Sequence, residues 1–110
     1  MARQVGDVAR QRAELERCLE LDPRHIGAHA VHAQCLEEAG DLDGAIAELD
    51  VAVGLAPEDP MLLFKHASVE VRRGDLQAAE SDYRLLLERA PGSDVAPRLR
   101  AYLDQAARRR

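Results

Sequence analysis

A segment of similar sequence occurs three times along the chain at a constant spacing of 34 residues, and this period limits the fold more than any other feature. The three segments begin at Gly6, Gly40 and Gly74, each with a Gly-Asp-aliphatic tripeptide. The ninth residue of each segment is acidic and the last is a proline: Glu14, Glu48 and Asp82, then Pro23, Pro57 and Pro91. A period of this length indicates stacked copies of one small structural unit.

Signals for helix ends surround the apolar positions of each segment. Glycine tolerates the left-handed backbone that ends a helix, so helices are predicted to end at Gly40 and Gly74. Asp7, Asp41 and Asp75 are predicted to accept hydrogen bonds from the first N–H groups of the helices that follow. Apolar residues recur at three- and four-residue steps between these signals, and proline stops each run. The sequence therefore predicts six helices, at 7–21, 25–39, 42–55, 60–73, 76–89 and 94–107.

The composition favours helices and excludes some functions. The chain has 110 residues, of which only one phenylalanine and two tyrosines are aromatic, and such a composition is unfavourable for strands. The net charge of −5 argues against nucleic-acid binding, because phosphate contacts require a basic surface. No apolar run approaches the roughly 20 residues that span a bilayer, and the N-terminus has no signal-peptide core.

The same composition gives an expectation for the cellular compartment. The two cysteines are too few for a disulfide framework and fit a reducing environment. We therefore expect a cytoplasmic protein, or a periplasmic one if an upstream leader has been removed. The strong preference for arginine over lysine is typical of GC-rich, bacterial coding.

The repeated pattern resembles the tetratricopeptide repeat family, whose units are helix pairs of about 34 residues. The first helices of the two complete units carry His29, His32, Ala33 and Leu36, then Leu63, His66, Ala67 and Glu70. The second helices carry Ala45, Leu49 and Pro57, then Ala79, Tyr83 and Pro91. Histidine and Glu70 occupy places where the family usually has apolar or aromatic residues.

The resemblance implies an all-α fold, a right-handed α-solenoid of antiparallel helix pairs with five to six helices. It makes residues 1–110 a single domain. The implied parts are a truncated first repeat at 1–23, a second repeat at 24–57, a third repeat at 58–91 and a C-terminal capping helix at 92–110.

Three histidines and a cysteine lie close together in the stretch "HIGAHAVHAQC". His25, His29 and His32 form one stripe on a helix, and the repeat register turns His29 and His32 toward the partner helix of their unit. That helix offers Ala45, Leu49, Ala52 and Val53, none of which binds metals. Since one helix face cannot enclose Zn²⁺, we predict structural, partly buried histidines and no metal or other cofactor. A zinc site and a pH-sensitive seam are the alternatives. Cys18 and Cys35 are predicted to be small core residues.

The family resemblance also implies a concave face that binds protein or peptide partners. In the repeat register this face carries Gln34, Glu37, Glu38, Met61, Phe64, Ser68, Val71, Arg72, Arg98 and Tyr102. Met61 and Phe64 form an apolar pair that favours binding, unless Phe64 is buried against the last helix. The lysines and asparagines with which one subfamily binds chaperone C-termini have no counterpart here. An amphipathic segment is the expected ligand.

Three functions fit these expectations. The first is a non-catalytic protein–protein interaction module with no nucleic-acid or membrane partner. The second is an oligomerisation or assembly scaffold, because the half-repeat at the N-terminus leaves Val8, Leu15 and Leu19 partly uncovered. The third is an accessory segment of a larger protein. Catalysis is not expected, because no nucleophile, base and cleft can be assembled from the sequence.

Overall fold

The computed structural model describes residues 5–109, with side chains from Gly6 onward; residues 1–4 and 110 of the predicted first repeat and cap lie outside it. Within 5–109 there are six helices and no strand: α1 Val5–Leu21, α2 Ile26–Glu38, α3 Leu42–Leu55, α4 Pro60–Arg73, α5 Leu76–Arg89 and α6 Ala96–Arg108. The predicted bounds of α3, α4 and α5 are confirmed to the residue. The other three helices differ from the prediction by one or two residues at their ends.

The predicted glycine signals are confirmed by the backbone. Gly40 and Gly74 have φ values of 86° and 94°, the left-handed conformation that L-residues rarely adopt. At Gly74 the N–H donates to the carbonyl groups of Glu70 and Val71, which closes the last turn of α4. These two residues therefore end their helices and redirect the chain.

The aspartate caps are confirmed at two of three positions. Asp41 accepts a hydrogen bond from the N–H of Gly44, and Asp75 accepts one from the N–H of Ala78. The prediction for Asp7 was wrong, because α1 already includes Val5 and Asp7 lies inside its first turn. There the carboxylate lies near the positive end of the helix dipole, which is a favourable place for an acidic residue.

Two further caps were not predicted. Asp59 accepts a hydrogen bond from the N–H of Met61 and precedes Pro60, which begins α4 without needing a donor of its own. At the start of α2, the imidazole Nδ1 of His25 accepts a hydrogen bond from the N–H of Ala28 at 2.9 Å. His25 is thus an N-cap residue.

The chain divides into two compact units, an N-terminal unit that ends at Pro57 and a C-terminal unit that begins at Glu58. In the N-terminal unit, α2 packs along α3 and α1 packs on α2. Ala45 and Ala52 of α3 are completely buried, and their small side chains let the two helix backbones approach closely. Leu36 and Leu49 fill the rest of this interface.

The C-terminal unit repeats this arrangement with α4 and α5, and α6 packs on α5. Ala67 and Ala79 are completely buried, at the places that Ala33 and Ala45 occupy one period earlier. Leu86 is also fully buried. The division of the chain into repeats and a cap at the predicted residue boundaries stays a prediction. No helix within residues 5–109 is both long enough and apolar enough to cross a bilayer.

Candidate functional site

In the N-terminal unit, the imidazole of His29 lies between two hydrogen-bond acceptors. His29 is only 8% exposed. Its Nδ1 is 2.7 Å from a carboxylate oxygen of Glu48 on α3, and its Nε2 is 2.7 Å from the backbone carbonyl of Pro23. A carbonyl and an ionised carboxylate can only accept, so both ring nitrogens must donate. This geometry favours the imidazolium form of His29.

The pKa of His29 agrees with that geometry. Burial disfavours the charged ring, but the hydrogen bond to Glu48, the hydrogen bond to the Pro23 carbonyl and the negative charge of Glu48 outweigh it. Together they raise the pKa of His29 above its usual value. An imidazolium has no lone pair for a metal, so His29 is a poor ligand in this environment.

We expect Glu48→Gln to lower the pKa of His29 back toward its ordinary value, because the amide removes the charge that stabilises the imidazolium. A histidine whose folded pKa is raised adds stability that is fully present below its unfolded pKa of about 6.5 and is lost as the pH rises through the folded value. The variant should therefore lose stability mainly below neutral pH. An NMR titration of the imidazole carbon-bound protons measures the pKa.

Glu20→Gln on the exposed side of α1 is the matched control and should leave the His29 titration unchanged. If the pKa of His29 in the wild-type protein lay below that of free histidine, the assignment of His29 as an imidazolium would be contradicted.

The stripe of three histidines is divided among three roles. His25 caps α2, and His29 bonds to Glu48 and Pro23. His32 is half-buried, and its Nδ1 lies 3.5 Å from the second oxygen of Glu48, too far for a good hydrogen bond. The prediction that His29 and His32 turn toward the partner helix is confirmed. The expectation that this helix offers no metal-binding group was wrong, because Glu48 faces both rings.

A second polar cluster lies in the C-terminal unit. The Nδ1 atom of His66 on α4 is 2.8 Å from a carboxylate oxygen of Glu70, one turn further along the same helix. The same Nδ1 is 2.5 Å from a carboxylate oxygen of Asp82 on α5. The side chains of these three residues are 12%, 7% and 18% exposed. His66, Glu70 and Asp82 thus form a partly buried triad, which the sequence analysis did not identify.

The two carboxyl groups of the triad titrate in opposite directions. Burial, the hydrogen bond with Asp82 and the charge of Asp82 raise the pKa of Glu70 to about 7, although His66 opposes them. Burial also disfavours the ionised form of Asp82, but hydrogen bonds from His66 and Glu70 outweigh it and lower the pKa of Asp82. Below about pH 7 and without a cation, Glu70 is therefore the carboxyl group that is mainly protonated, and Asp82 carries the negative charge.

Three aromatic side chains pack in a row in the C-terminal unit. Tyr83 of α5 is buried between Phe64 of α4 and Tyr102 of α6, with ring-centroid distances of 6.4 Å and 5.1 Å. The contact with Tyr102 is edge to face, a favourable geometry for aromatic rings. Phe64 therefore packs against Tyr83 of α5 and is half-buried.

None of the ten predicted binding residues is buried. In the C-terminal unit Met61 is 53% exposed, Arg72 and Arg98 are exposed, and Phe64, Ser68, Val71 and Tyr102 are half-buried. In the N-terminal unit Gln34 and Glu38 are exposed and hydrogen-bonded to each other, and Glu37 is half-buried.

An open depression runs along α6 in the C-terminal unit. Its lining includes Arg98, Tyr102 and Arg108, together with Ala101, Asp104 and Gln105. The two guanidinium groups give this part of an otherwise acidic chain a local positive charge. Among residues 5–109 both cysteines are free; Cys35 is buried, as predicted, whereas Cys18 is half-buried.

Three solved structures share this fold. The Yersinia enterocolitica type III secretion chaperone SycD, in complex with a peptide of the translocator YopD, has a TM-score of 0.78 and 19% identity, covering 91% of this chain and 79% of SycD. An alternative dimer of SycD gives a TM-score of 0.77 with the same identity and coverage. PcrH, in complex with the chaperone binding region of PopD, has a TM-score of 0.78 and 20% identity, covering 96% of this chain and 83% of PcrH.

These matches confirm the predicted all-α helical repeat fold. No curated protein matches the sequence. The model of the tetratricopeptide repeat, TPR_19, matches residues 2–63, which is more than half of the chain. The chain therefore belongs to the tetratricopeptide repeat family.

Proposed function

We propose that this chain is a non-catalytic protein–protein interaction module that binds a peptide or helical segment of a partner protein. In the C-terminal unit the binding surface lies on α4 and α6, and in the N-terminal unit the repeat pattern assigns it to α2. We place the protein in the cytoplasm. We expect no nucleic acid, membrane or cofactor to take part in partner binding.

The observation that carries this proposal is the exposure of Met61 beside Phe64. The two residues are three positions apart on α4, so their side chains share one face of the helix. Met61 is more than half exposed, and Phe64 is half-buried beside Tyr83. Large, exposed apolar side chains on one helix face are typical of surfaces that bind another protein, since their burial on binding is favourable.

Charge gives the expected chemistry of the ligand. Arg98 and Arg108 line the depression on α6, where an acidic side chain of the partner would be attracted. An amphipathic segment could place apolar side chains on Met61 and Phe64 and an acidic one at these arginines. The repeat pattern alone extends the proposal to Ser68, Val71 and Arg72 on α4, and to Gln34, Glu37 and Glu38 on α2.

The similar structures support this class of ligand. SycD is known in complex with a peptide of YopD, and PcrH with the chaperone binding region of PopD. Both are examples of this fold holding a segment of another protein. The identity of the segment that this chain binds is not implied by that similarity.

Selection of displayed peptides of helical length tests the proposal. We expect wild-type protein to select peptides with apolar residues at three- and four-residue steps and at least one acidic residue. Because central apolar anchors dominate such interfaces, Met61→Ala with Phe64→Ala should weaken a selected peptide about tenfold or more. Isothermal titration calorimetry measures the dissociation constants, and circular dichroism checks the fold of each variant.

Leu76→Ala is the matched control, because Leu76 is also a large, exposed apolar residue but lies on a second helix, α5. It should leave affinity unchanged. If no peptide were enriched, or if the control weakened binding more than the α4 variant did, the proposed surface would be wrong.

A self-association function is the second candidate. Leu21 at the end of α1 is 80% exposed, and Val8, Leu15 and Leu19 on the same helix are only half-buried. Val8, Leu15 and Leu19 share one face of α1, which a second copy of the chain can cover, whereas Leu21 lies on the opposite side of the helix. Sedimentation equilibrium showing a monomer at high concentration would remove this candidate.

A further inference from the structure

In the triad of His66, Glu70 and Asp82, a ring nitrogen and two carboxyl groups converge between α4 and α5. One ring nitrogen, Nδ1 of His66, lies within hydrogen-bonding distance of two carboxylates at once. An Nδ1–H group can donate to either carboxyl group, and a protonated Glu70 can donate to Asp82, so the triad is joined by hydrogen atoms that a metal ion can replace. The three possible ligand atoms, one nitrogen and two oxygens, all lie within 4.8 Å of one another.

We propose that His66, Glu70 and Asp82 form a binding site for a single divalent transition-metal ion of the Zn²⁺ type. The ion binds Nδ1 of the neutral His66 ring, whose hydrogen is then on Nε2, displaces the proton of Glu70 to solvent, and accepts one lone pair from each residue. The site joins α4 to α5 within the C-terminal unit.

The ligand types select this class of ion. Imidazole nitrogen binds Zn²⁺ and its neighbours in the first transition row, whereas Mg²⁺ and Ca²⁺ prefer oxygen alone. Two carboxylates carry a total charge of −2, which a divalent ion neutralises. That match matters because the triad is largely withdrawn from water, where an uncompensated charge is costly.

The present distances fit an ion after a small adjustment. Ligand atoms roughly 2.0 Å from a tetrahedral Zn²⁺ stand roughly 3.3 Å apart. The Nδ1 atom of His66 is 2.8 Å from Glu70 and 2.5 Å from Asp82, so each carboxylate would move outward by less than about 1 Å. His66 and Glu70 are one turn apart on α4 and Asp82 approaches from α5, so the ligands come from two helices. Three protein ligands leave one position for water, as in an open zinc site.

The N-terminal unit provides an internal comparison. His32 and Glu48 stand one period before His66 and Asp82, but the place of Glu70 is held by Leu36, which offers no ligand. The nearby His29 is engaged through both nitrogens with Glu48 and Pro23. Glu70 in place of Leu36 supplies the third ligand in the C-terminal unit, and Leu63 in place of His29 leaves the carboxylate of Asp82 to His66.

Titration of the full-length, chelator-treated protein with Zn²⁺ tests the site. We expect saturable binding of a single ion, and a rise in melting temperature with Zn²⁺ because the ion binds only the folded state. Glu70→Leu, which installs the residue of the equivalent position in the preceding repeat, should weaken Zn²⁺ binding by about tenfold or more and abolish the rise. Asp82→Asn should weaken binding as well.

Two controls separate this site from other ligands in the chain. His32→Gln removes the equivalent histidine of the preceding repeat and should leave affinity unchanged. Binding of Co²⁺ should give no thiolate charge-transfer absorption, which excludes Cys18 and Cys35 as the ligands. Wild-type protein that fails to bind Zn²⁺ saturably, or folded Glu70→Leu that binds it equally well, would overturn the proposal.

Discussion

Tyr83→Ala is expected to lower the free energy of unfolding by about 3–5 kcal/mol, the usual cost of removing a large buried aromatic side chain. Tyr83 packs between Phe64 and Tyr102, so its removal leaves a cavity bordered by α4 and α6 and breaks two ring contacts. Domains of this size are stable by only about 5–15 kcal/mol in total. Urea denaturation followed by far-ultraviolet circular dichroism measures the loss.

Two variants separate the ring from its surroundings. Tyr83→Phe keeps the ring and removes only a hydroxyl group near Ser68, so it should cost about 1 kcal/mol. Tyr102→Ala removes a half-buried ring from the end of the row and should cost about 1–2 kcal/mol, since the edge-to-face contact and partial burial are lost. Equal losses for Tyr83→Ala and Tyr102→Ala would show that Tyr83 is not the centre of this packing.

The positions of the helices followed from short-range signals in the sequence. Glycine with positive φ and aspartate before the first turn act through local backbone chemistry, so Gly40, Gly74, Asp41 and Asp75 marked their helix ends without knowledge of the fold. Asp59 followed by Pro60 is an equally clear signal for the start of α4, and it lies outside the repeated Gly-Asp tripeptide.

The polar clusters depend on contacts between helices, which the apolar pattern does not resolve. Glu48 and Asp82 each precede a buried residue, Leu49 or Tyr83, and therefore lie at the edge of the buried face. Whether a side chain at this edge turns toward the neighbouring helix depends on which side chains that helix places opposite it. The spacing of 16 residues from His66 to Asp82 occurs also from His32 to Glu48, so the repeated pair was visible in the sequence, but its hydrogen bonding was not.

Binding surfaces are still harder to derive from one sequence. Five of the ten candidate residues are exposed and five are half-buried, and their role in binding stays a prediction. The repeat register could not show that Phe64 rests on Tyr83, since an aromatic residue at a helix edge can pack inward or stay exposed at similar cost. Contacts with a partner do not produce a periodic pattern in the sequence.

Glu70→Leu is expected to raise the free energy of unfolding at pH 8, when a chelator keeps metals away. Glu70 is buried at 5% exposure, and its pKa is raised to about 7 in the folded chain. Ionisation of Glu70 at pH 8 therefore lowers the free energy of unfolding. Leucine, the residue at the equivalent position 36, carries no charge and avoids this loss. At about 1.36 kcal/mol per pKa unit, the difference from an ordinary glutamate amounts to about 3 kcal/mol at most.

The pH dependence gives the sign of this effect. A carboxyl group whose folded pKa is raised binds more protons in the folded than in the unfolded state between its ordinary pKa and about 7. Wild-type stability should therefore fall as the pH rises through this window and become level above it, and the raised pKa of His29 acts in the same direction. The lowered pKa of Asp82 acts only in acid, where stability is lost as the pH falls.

Glu70→Gln distinguishes the charge from the packing, because glutamine imitates the protonated carboxyl group. The free energy of unfolding of Glu70→Gln should match that of the wild-type protein near pH 5 and exceed it near pH 8. That of Glu70→Leu should likewise change less with pH than that of the wild-type protein. Denaturant unfolding at several pH values gives the curves. A wild-type stability that rises from pH 5 to pH 8, or a Glu70→Leu protein less stable than wild type at pH 8, would mean that the triad stabilises Glu70 as a carboxylate even without a cation.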